Sequence, residues 1–102
     1  MRSNAEVALR YAASHPAWVD DQLVVDAIAK RVEQVAETAK YQYPLELRPQ
    51  VPQLDWDDIA GMRDRLVHDY DRVNLRLLRA VVNDDLPRLV RTIDEVLKDE
   101  PE

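Results

Sequence analysis

The chain contains a single glycine, Gly61, in 102 residues. Glycine most readily supplies the positive-φ turns of tight β-hairpins, so a many-stranded β protein would need turn chemistry that this sequence lacks. With 46% hydrophobic and 33% charged residues, the chain is also too apolar for intrinsic disorder. What remains is a helical protein. Its length is near the commonest single-domain size, so the expectation is one domain over residues 1–102 with one modest core.

Cysteine is absent, which removes disulfide frameworks, zinc ribbons and thiol nucleophiles. The 14 Lys and Arg stand against 20 Asp and Glu, and the resulting net charge of −6 keeps a small domain soluble while repelling bulk nucleic acid. Nucleic-acid chemistry would therefore need a local basic cluster. Most of the basic residues are Arg, whose donor fork suits phosphate. The N-terminal stretch MRSNAEVALRYAASHP lacks an apolar core of signal-peptide length, and no stretch approaches the ~18 apolar residues of a membrane span. The expected location is the cytoplasm, away from membranes.

Apolar spacing divides the chain into helices. Ala5, Val7, Ala8, Leu9, Tyr11 and Ala12 predict a first helix over 3–14, stopped by Pro16. Asp20 or Asp21 can cap a second, along which Leu23, Val24, Ala27, Ile28, Val32, Val35, Ala36 and Ala39 recur to about Tyr41. Pro44, Pro49 and Pro52 then remove too many backbone donors for a helix and mark the one long connection. Asp55 reads as the cap of a third helix starting near Trp56, with Asp57 and Asp58 in its first turn and Ile59, Met62, Leu66 and Val67 as its stripe. Leu75, Leu78, Ala80, Val81 and Val82 suggest a fourth helix. Asn83 or Asp84 can cap a fifth, in which Pro87 occupies a tolerated first-turn position ahead of Leu89, Val90, Ile93 and Leu97. The expectation is an all-α bundle of four or five helices, ending in the acidic tail KDEPE.

The run GMRDRLVHDY holds the residues that ask for a chemical explanation: Arg63, Asp64, His68 and Tyr70. If the helix continues through it, Asp64 and His68 lie ~40° apart in projection and ~6 Å apart along the axis, so the carboxylate could orient the imidazole. Arg63 and His68 would be separated by ~140° and ~7.5 Å, flanking a groove that could hold a phosphodiester. Such a pair suits metal-independent RNA cleavage. His68 would move the proton of a ribose 2′-hydroxyl and Arg63 would stabilise charge on the phosphoryl oxygens. One His and one Arg make a thin site, and a two-fold homodimer would double both. The same spacing is also that of a surface charge pair worth a few tenths of a kcal/mol, and spacing alone leaves both readings open. Tyr70 can equally be a partly buried aromatic, and His15 reads as a solvated loop residue. Two distant histidines match no standard metal site, and one glycine forms no phosphate loop, so neither a metal nor a cofactor is expected.

The run 63–70 resembles the Arg-x4-His-x-Tyr motif of HEPN-type ribonuclease toxins of the HepT family. Three further landmarks are similar in order: Val35-Ala36-Glu37-Thr38-Ala39-Lys40 to the family's Gly-Glu-Ala-Ala-Lys stretch, Trp56 to Met62 to its lead into the motif, and Asp84-Asp85-Leu86-Pro87 to its acidic Leu-Pro element. The resemblance runs from about Asp26 to Leu97. The segment ahead of Asp26 looks shorter than the family's, and Ala36 stands where the family has Gly.

The resemblance implies an up-down HEPN bundle, dimeric about a two-fold axis, acting as an endoribonuclease toxin of a HepT/MntA-type, type VII toxin–antitoxin pair. Arg63 and His68 would be catalytic at the dimer groove, with Asp64 supporting them. The substrate would be RNA, tRNA among the candidates. The implied partner is a minimal nucleotidyltransferase antitoxin that transfers AMP from ATP onto Tyr70, placing phosphates near Arg63 where they repel an RNA backbone. The family also includes members described mainly as substrate-binding partners of nucleotidyltransferases. The alternative reading is therefore a non-catalytic helical partner subunit.

Overall fold

The computed structural model describes residues 1–42, 52–69 and 72–98, with positions 42, 67–69, 72 and 97–98 described by their backbone alone. Five α-helical segments carry the chain: α1 (Arg2–Ser14), α2 (Gln22–Glu37), α3 (Trp56–Leu66), α4 (Leu75–Ala80) and α5 (Leu86–Lys98). A short 3-10 turn, Trp18–Asp20, joins α1 to α2 and buries Trp18. The all-α class read from the sequence holds. The connection around Pro44 and Pro49 lies outside the described residues, as does the end of the acidic tail.

The second helix is the centre of the core. Asp21 caps it, accepting from the Leu23 N–H at 3.1 Å and from the Val24 N–H at 3.5 Å, which satisfies donors that a helix start leaves orphaned. From there Val24, Val25, Ile28, Ala29, Val32, Val35, Ala36 and Ala39 form a continuous buried stripe. Helix α1 lays Ala5 and Ala8 against it, and small side chains allow that close approach. The two helices are tied by Arg31, whose Nη1 donates to Asn4 Oδ1 at 3.0 Å. At the N-terminus of α1, Arg2 grips the Asp94 carboxylate of α5 with Nε at 2.6 Å and Nη2 at 3.2 Å, and its Nη1 donates to Glu6 at 2.8 Å. Leu78, Leu86 and Leu89 close the core from the C-terminal side.

Helix α3 starts where the sequence places it: Asp55 accepts from the Asp58 N–H at 3.0 Å, and Trp56, Ile59, Met62 and Leu66 point into the core. It ends earlier than expected. The helix stops at Leu66, and the chain turns into a two-stranded antiparallel ladder of β1 (Val67–Asp69) and β2 (Arg72–Val73), pairing Val67 with Val73 and Asp69 with Arg72. The physical reason lies just beyond the ladder. The Asn74 N–H donates to the Leu66 carbonyl at 2.8 Å, and the Asn74 side chain accepts from the Leu77 N–H at 3.2 Å, so one residue closes α3 and caps α4.

Two π turns depart from α-helical geometry, one at the end of α2 and one between α4 and α5, and both have local causes. At the end of α2 the Thr38 hydroxyl donates back to the Gln34 carbonyl at 2.9 Å, and the backbone widens into a π turn over Thr38–Gln42. Hydroxyl back-bonding of this kind competes with the i−4 ladder. Between α4 and α5 the π turn Val81–Asp85 carries the chain into Leu86 with helical backbone, the Leu86 N–H reaching Val81 five residues back. Asn83 and Asp84 therefore do not cap a separate helix. Pro87 explains the choice: a proline has no N–H for the i−4 carbonyl and its ring clashes there, and a wider turn just ahead of it avoids that contact.

Ile28, fully buried at the middle of the α2 stripe, tests this account. Ile28→Ala is expected to lower unfolding free energy by about 2–5 kcal/mol, read as a lower urea midpoint at unchanged m-value. A loss below about 1 kcal/mol would mean that α2 is not the hub of the core.

Candidate active site

Arg63 and Asp64 sit on the last turn of α3, both exposed. They line a shallow cleft of about 160 Å³ between α3 and the end of α2, together with Ala60 from α3 and Ala36, Glu37, Lys40 and Tyr41 from α2 and its π turn. The cleft exists because the helices meet through small residues: Ala36 and Ala39 are buried and Ala60 packs beside them. Larger side chains there would hold the helices apart.

The two arginines of this turn have different fates. Arg65 folds back over Gly61, where an added Cβ would lie 3.1 Å from its Nη1. Its Nη2 donates to the Asp58 carbonyl at 2.9 Å and lies 3.0 Å from the Asp58 carboxylate. A side chain at Gly61 would require only that the half-exposed end of Arg65 shift by a few tenths of an ångström. Arg63 makes no ion pair or hydrogen bond with a described residue, and Asp64 makes none either. An uncommitted guanidinium in a cleft can take a phosphate with its donor fork.

His68 lies on β1, two residues past the end of α3, and is placed by its backbone. The helical offsets expected between Asp64 or Arg63 and His68 therefore do not apply, because the Asn74 contact to Leu66 ends the helix between them. Motif tyrosine Tyr70 lies outside the described residues. His15 caps the end of α1 and its Nδ1 is 2.9 Å from the Tyr11 carbonyl, as befits a loop residue. What the sequence reading did not single out is Tyr41. Its spacing reads as the end of an amphipathic helix, and the π turn that sets it at the cleft leaves no periodic signal.

A second cleft, of about 250 Å³, lies between the start of α3 and the start of α5, lined by Asp55, Asp58, Asp85 and Arg88 over Ile59, Met62 and Leu89. Burial pushes the Asp85 carboxyl above the usual aspartate range. The Asp58 charge adds to that, and Arg88 and Arg65 oppose it. Among the described residues no group of three or more His, Asp or Glu is arranged to hold a metal ion. No described helix is long and apolar enough to cross a membrane.

The model of the family described as "Ribonuclease HepT-like" matches residues 1–96. The chain belongs to that family. The match takes in the segment ahead of Asp26, so the first helix is part of the shared domain. Among relatives, a candidate RNase of Caldanaerobacter subterraneus is 32% identical over 83 residues, covering 81% of this chain and 73% of that protein. A protein of Thermococcus cleftensis named "Probable ribonuclease HepT" is 31% identical, covering 71% of this chain and 64% of its own. A Methanocaldococcus jannaschii protein named as a gamma-glutamylcyclotransferase and candidate RNase is 34% identical over 72% of this chain, which corresponds to 33% of its length. No solved structure matches the chain significantly. The enzyme class expected from the sequence, a ribonuclease, is the one this family carries.

The second cleft of this HepT-like chain yields a pH prediction. Because the folded Asp85 carboxyl has a raised pKa, the folded state binds its proton more tightly than the unfolded state does, and its charge costs stability at neutral pH. That cost disappears as pH falls through the raised value. Asp85→Asn is expected to unfold at higher urea than wild type at pH 7, with the gap closing as pH is lowered. A variant that is less stable than wild type at pH 7, by a margin that shrinks as pH is lowered, would show that the Arg88 and Arg65 attractions outweigh burial.

Proposed function

We propose that this chain is a metal-independent endoribonuclease toxin of a type VII toxin–antitoxin pair, a single domain over residues 1–102 that works in the cytoplasm as a two-fold homodimer. The observation that carries the reading is Arg63: in a ribonuclease HepT-like chain, the first residue of the Arg-x4-His-x-Tyr motif stands exposed in a cleft with no described partner to neutralise it. Its role is to bind the scissile phosphate and stabilise the charge that builds on the phosphoryl oxygens. His68 of one protomer removes the proton from the ribose 2′-hydroxyl as the 2′-oxygen attacks phosphorus. The bond to the 5′-oxygen breaks, and His68 of the other protomer protonates that leaving oxygen. A cyclic phosphate and a 5′-hydroxyl end result, with no water or metal consumed. Asp64 supports the pair as a positioning residue. Dimerisation brings the two histidines to one phosphate, which neither protomer could serve alone.

Neutralisation follows from the same electrostatics. AMP transferred from ATP to the Tyr70 hydroxyl, with release of pyrophosphate, adds negative charge to the motif and opposes an incoming RNA backbone. A minimal nucleotidyltransferase is the partner that performs it.

Induction of wild type, Arg63→Ala and His68→Ala without a partner, with total RNA mapped for new ends, tests the nuclease. Growth arrest and cleavage are expected for wild type, and rates at least about a hundredfold lower for both variants. Cleavage unchanged in both variants would overturn the assignment. Harmless, well-folded wild-type protein that binds a nucleotidyltransferase would give the site to the substrate-binding reading. For the modification, incubation with the cognate nucleotidyltransferase and ATP should add whole AMP units to wild type and none to Tyr70→Phe. Equal labelling of the two would remove Tyr70 as the acceptor.

A further inference from the structure

Of the aromatic residues with described side chains, Trp18 and Trp56 are buried and Tyr11 packs against the core. Tyr41 alone is left in water, 73% exposed, on the π turn that closes α2. A large ring held in solvent does nothing for the fold, and its neighbours show where it could serve. It lines the cleft that holds Arg63 and Asp64, and the Lys40 ammonium stands over its ring, 5.2 Å from the centroid. The surroundings are not those of a protein-docking patch. Apart from Ala36 and Ala60 the other lining residues are charged, namely Glu37, Lys40, Arg63 and Asp64, and the other exposed large apolar residues, Leu23 and Leu75, do not line the cleft. One flat ring among charges, beside a guanidinium suited to phosphate, has the features of a single-strand nucleic-acid subsite: an aromatic platform for a base next to a cation for the backbone.

We propose that Tyr41 is the stacking platform for one unpaired base of the RNA substrate, adjoining the phosphate bound by Arg63. This rests on the ribonuclease reading and extends it to the kind of RNA taken. A base must leave its helix to lie on the ring, so the site selects single-stranded loops or ends over duplex. Lys40 fixes one face of the ring and contributes positive charge along the strand. The carboxylates of Glu37 and Asp64 can accept from the N–H groups of a base edge, while they repel a phosphate placed on their side of the cleft. Selection by stacking also suits a chain of net charge −6, because affinity then does not depend on a broad basic surface.

The test uses the full chain in two measurements. The first is steady-state cleavage of a mixed-sequence single-stranded RNA oligonucleotide by wild type, Tyr41→Phe and Tyr41→Ala. The second is binding of the same labelled oligonucleotide, and of its duplex, to these variants in a His68→Ala background. Stacking predicts that Tyr41→Phe keeps the ring and behaves as wild type. Tyr41→Ala should raise KM and weaken single-strand binding by about fivefold to a hundredfold, with kcat within a few-fold of wild type and duplex binding unaffected. Unaltered KM and binding in Tyr41→Ala, with wild type active, would overturn the subsite and leave the nuclease standing. Equal losses in Tyr41→Phe and Tyr41→Ala would also overturn it, since the hydroxyl rather than the ring would then matter. So would a change in oligomeric state confined to Tyr41→Ala, which would assign the ring to a protein interface. A wild type that neither cuts nor binds the oligonucleotide would remove both the nuclease and the subsite.

Discussion

Everything in this fold leans on the buried stripe of α2, from Val24 to Ala39, and the stripe is graded. Its N-terminal and middle parts carry Val24, Val25, Ile28, Val32 and Val35, bulky residues that fill space. Its C-terminal end carries Ala36 and Ala39. Bulky residues supply most of the burial that holds a small core together, and alanines let a neighbouring backbone come close. The same helix therefore acts as the core's spine along most of its length and as a narrow crossing point at one end. The cleft with Arg63 forms at that end, where α3 approaches but the longer side chains at the rim, Glu37, Lys40 and Tyr41, cannot follow the alanines inward.

The two π turns show how local chemistry is reconciled with that spine. Thr38 and Pro87 each disturb the i−4 pattern, one by adding a competing donor and one by removing the donor altogether. In both places the chain widens its turn. The core stripe runs into each of them, with Ala39 buried in the first, and Val81 and Val82 buried in the second ahead of Leu86. A break would have cost the burial of those residues, whereas a π turn costs only poorer hydrogen-bond geometry over a few residues.

Much of the fold was legible because it rests on two signals that act locally. Apolar spacing places Ile28, Val32, Ile59, Met62, Leu78 and Leu89 inward, and the short polar side chains of Asp21 and Asp55 mark helix starts by accepting exposed N–H groups. The end of α3 was not legible. Val67 continues the apolar period as well as it starts a strand, and the contact that decides between them joins Leu66 to Asn74 across the ladder. Period reading cannot see such a pairing. The site shared this fate: the motif spacing singles out Arg63 and His68, while the helical geometry drawn between them failed at that ladder. Tyr41 escaped because only the tertiary approach of α3 makes its position a cleft.

Charge supplies the last step, since a chain of −6 must still admit a polyanion. Net charge acts at long range and is screened within about 8 Å at physiological salt, so what a phosphate meets at contact is the local set of unneutralised groups. Here the acids are spent selectively. Asp94 and Glu6 hold Arg2, Asp58 holds Arg65, and Asp85 stands 3.9 Å from Arg88. These pairs are exposed or half-exposed and stabilise the fold little. Their larger effect is to pin basic side chains elsewhere on the surface while Arg63 stays uncommitted at the α2–α3 cleft. Removing the Asp58 carboxylate would free Arg65, on the same turn of α3, from its ion pair and blur that contrast. The acidity of the chain is thus compatible with RNA chemistry, because it makes the one open arginine of this cleft a distinct electrostatic feature.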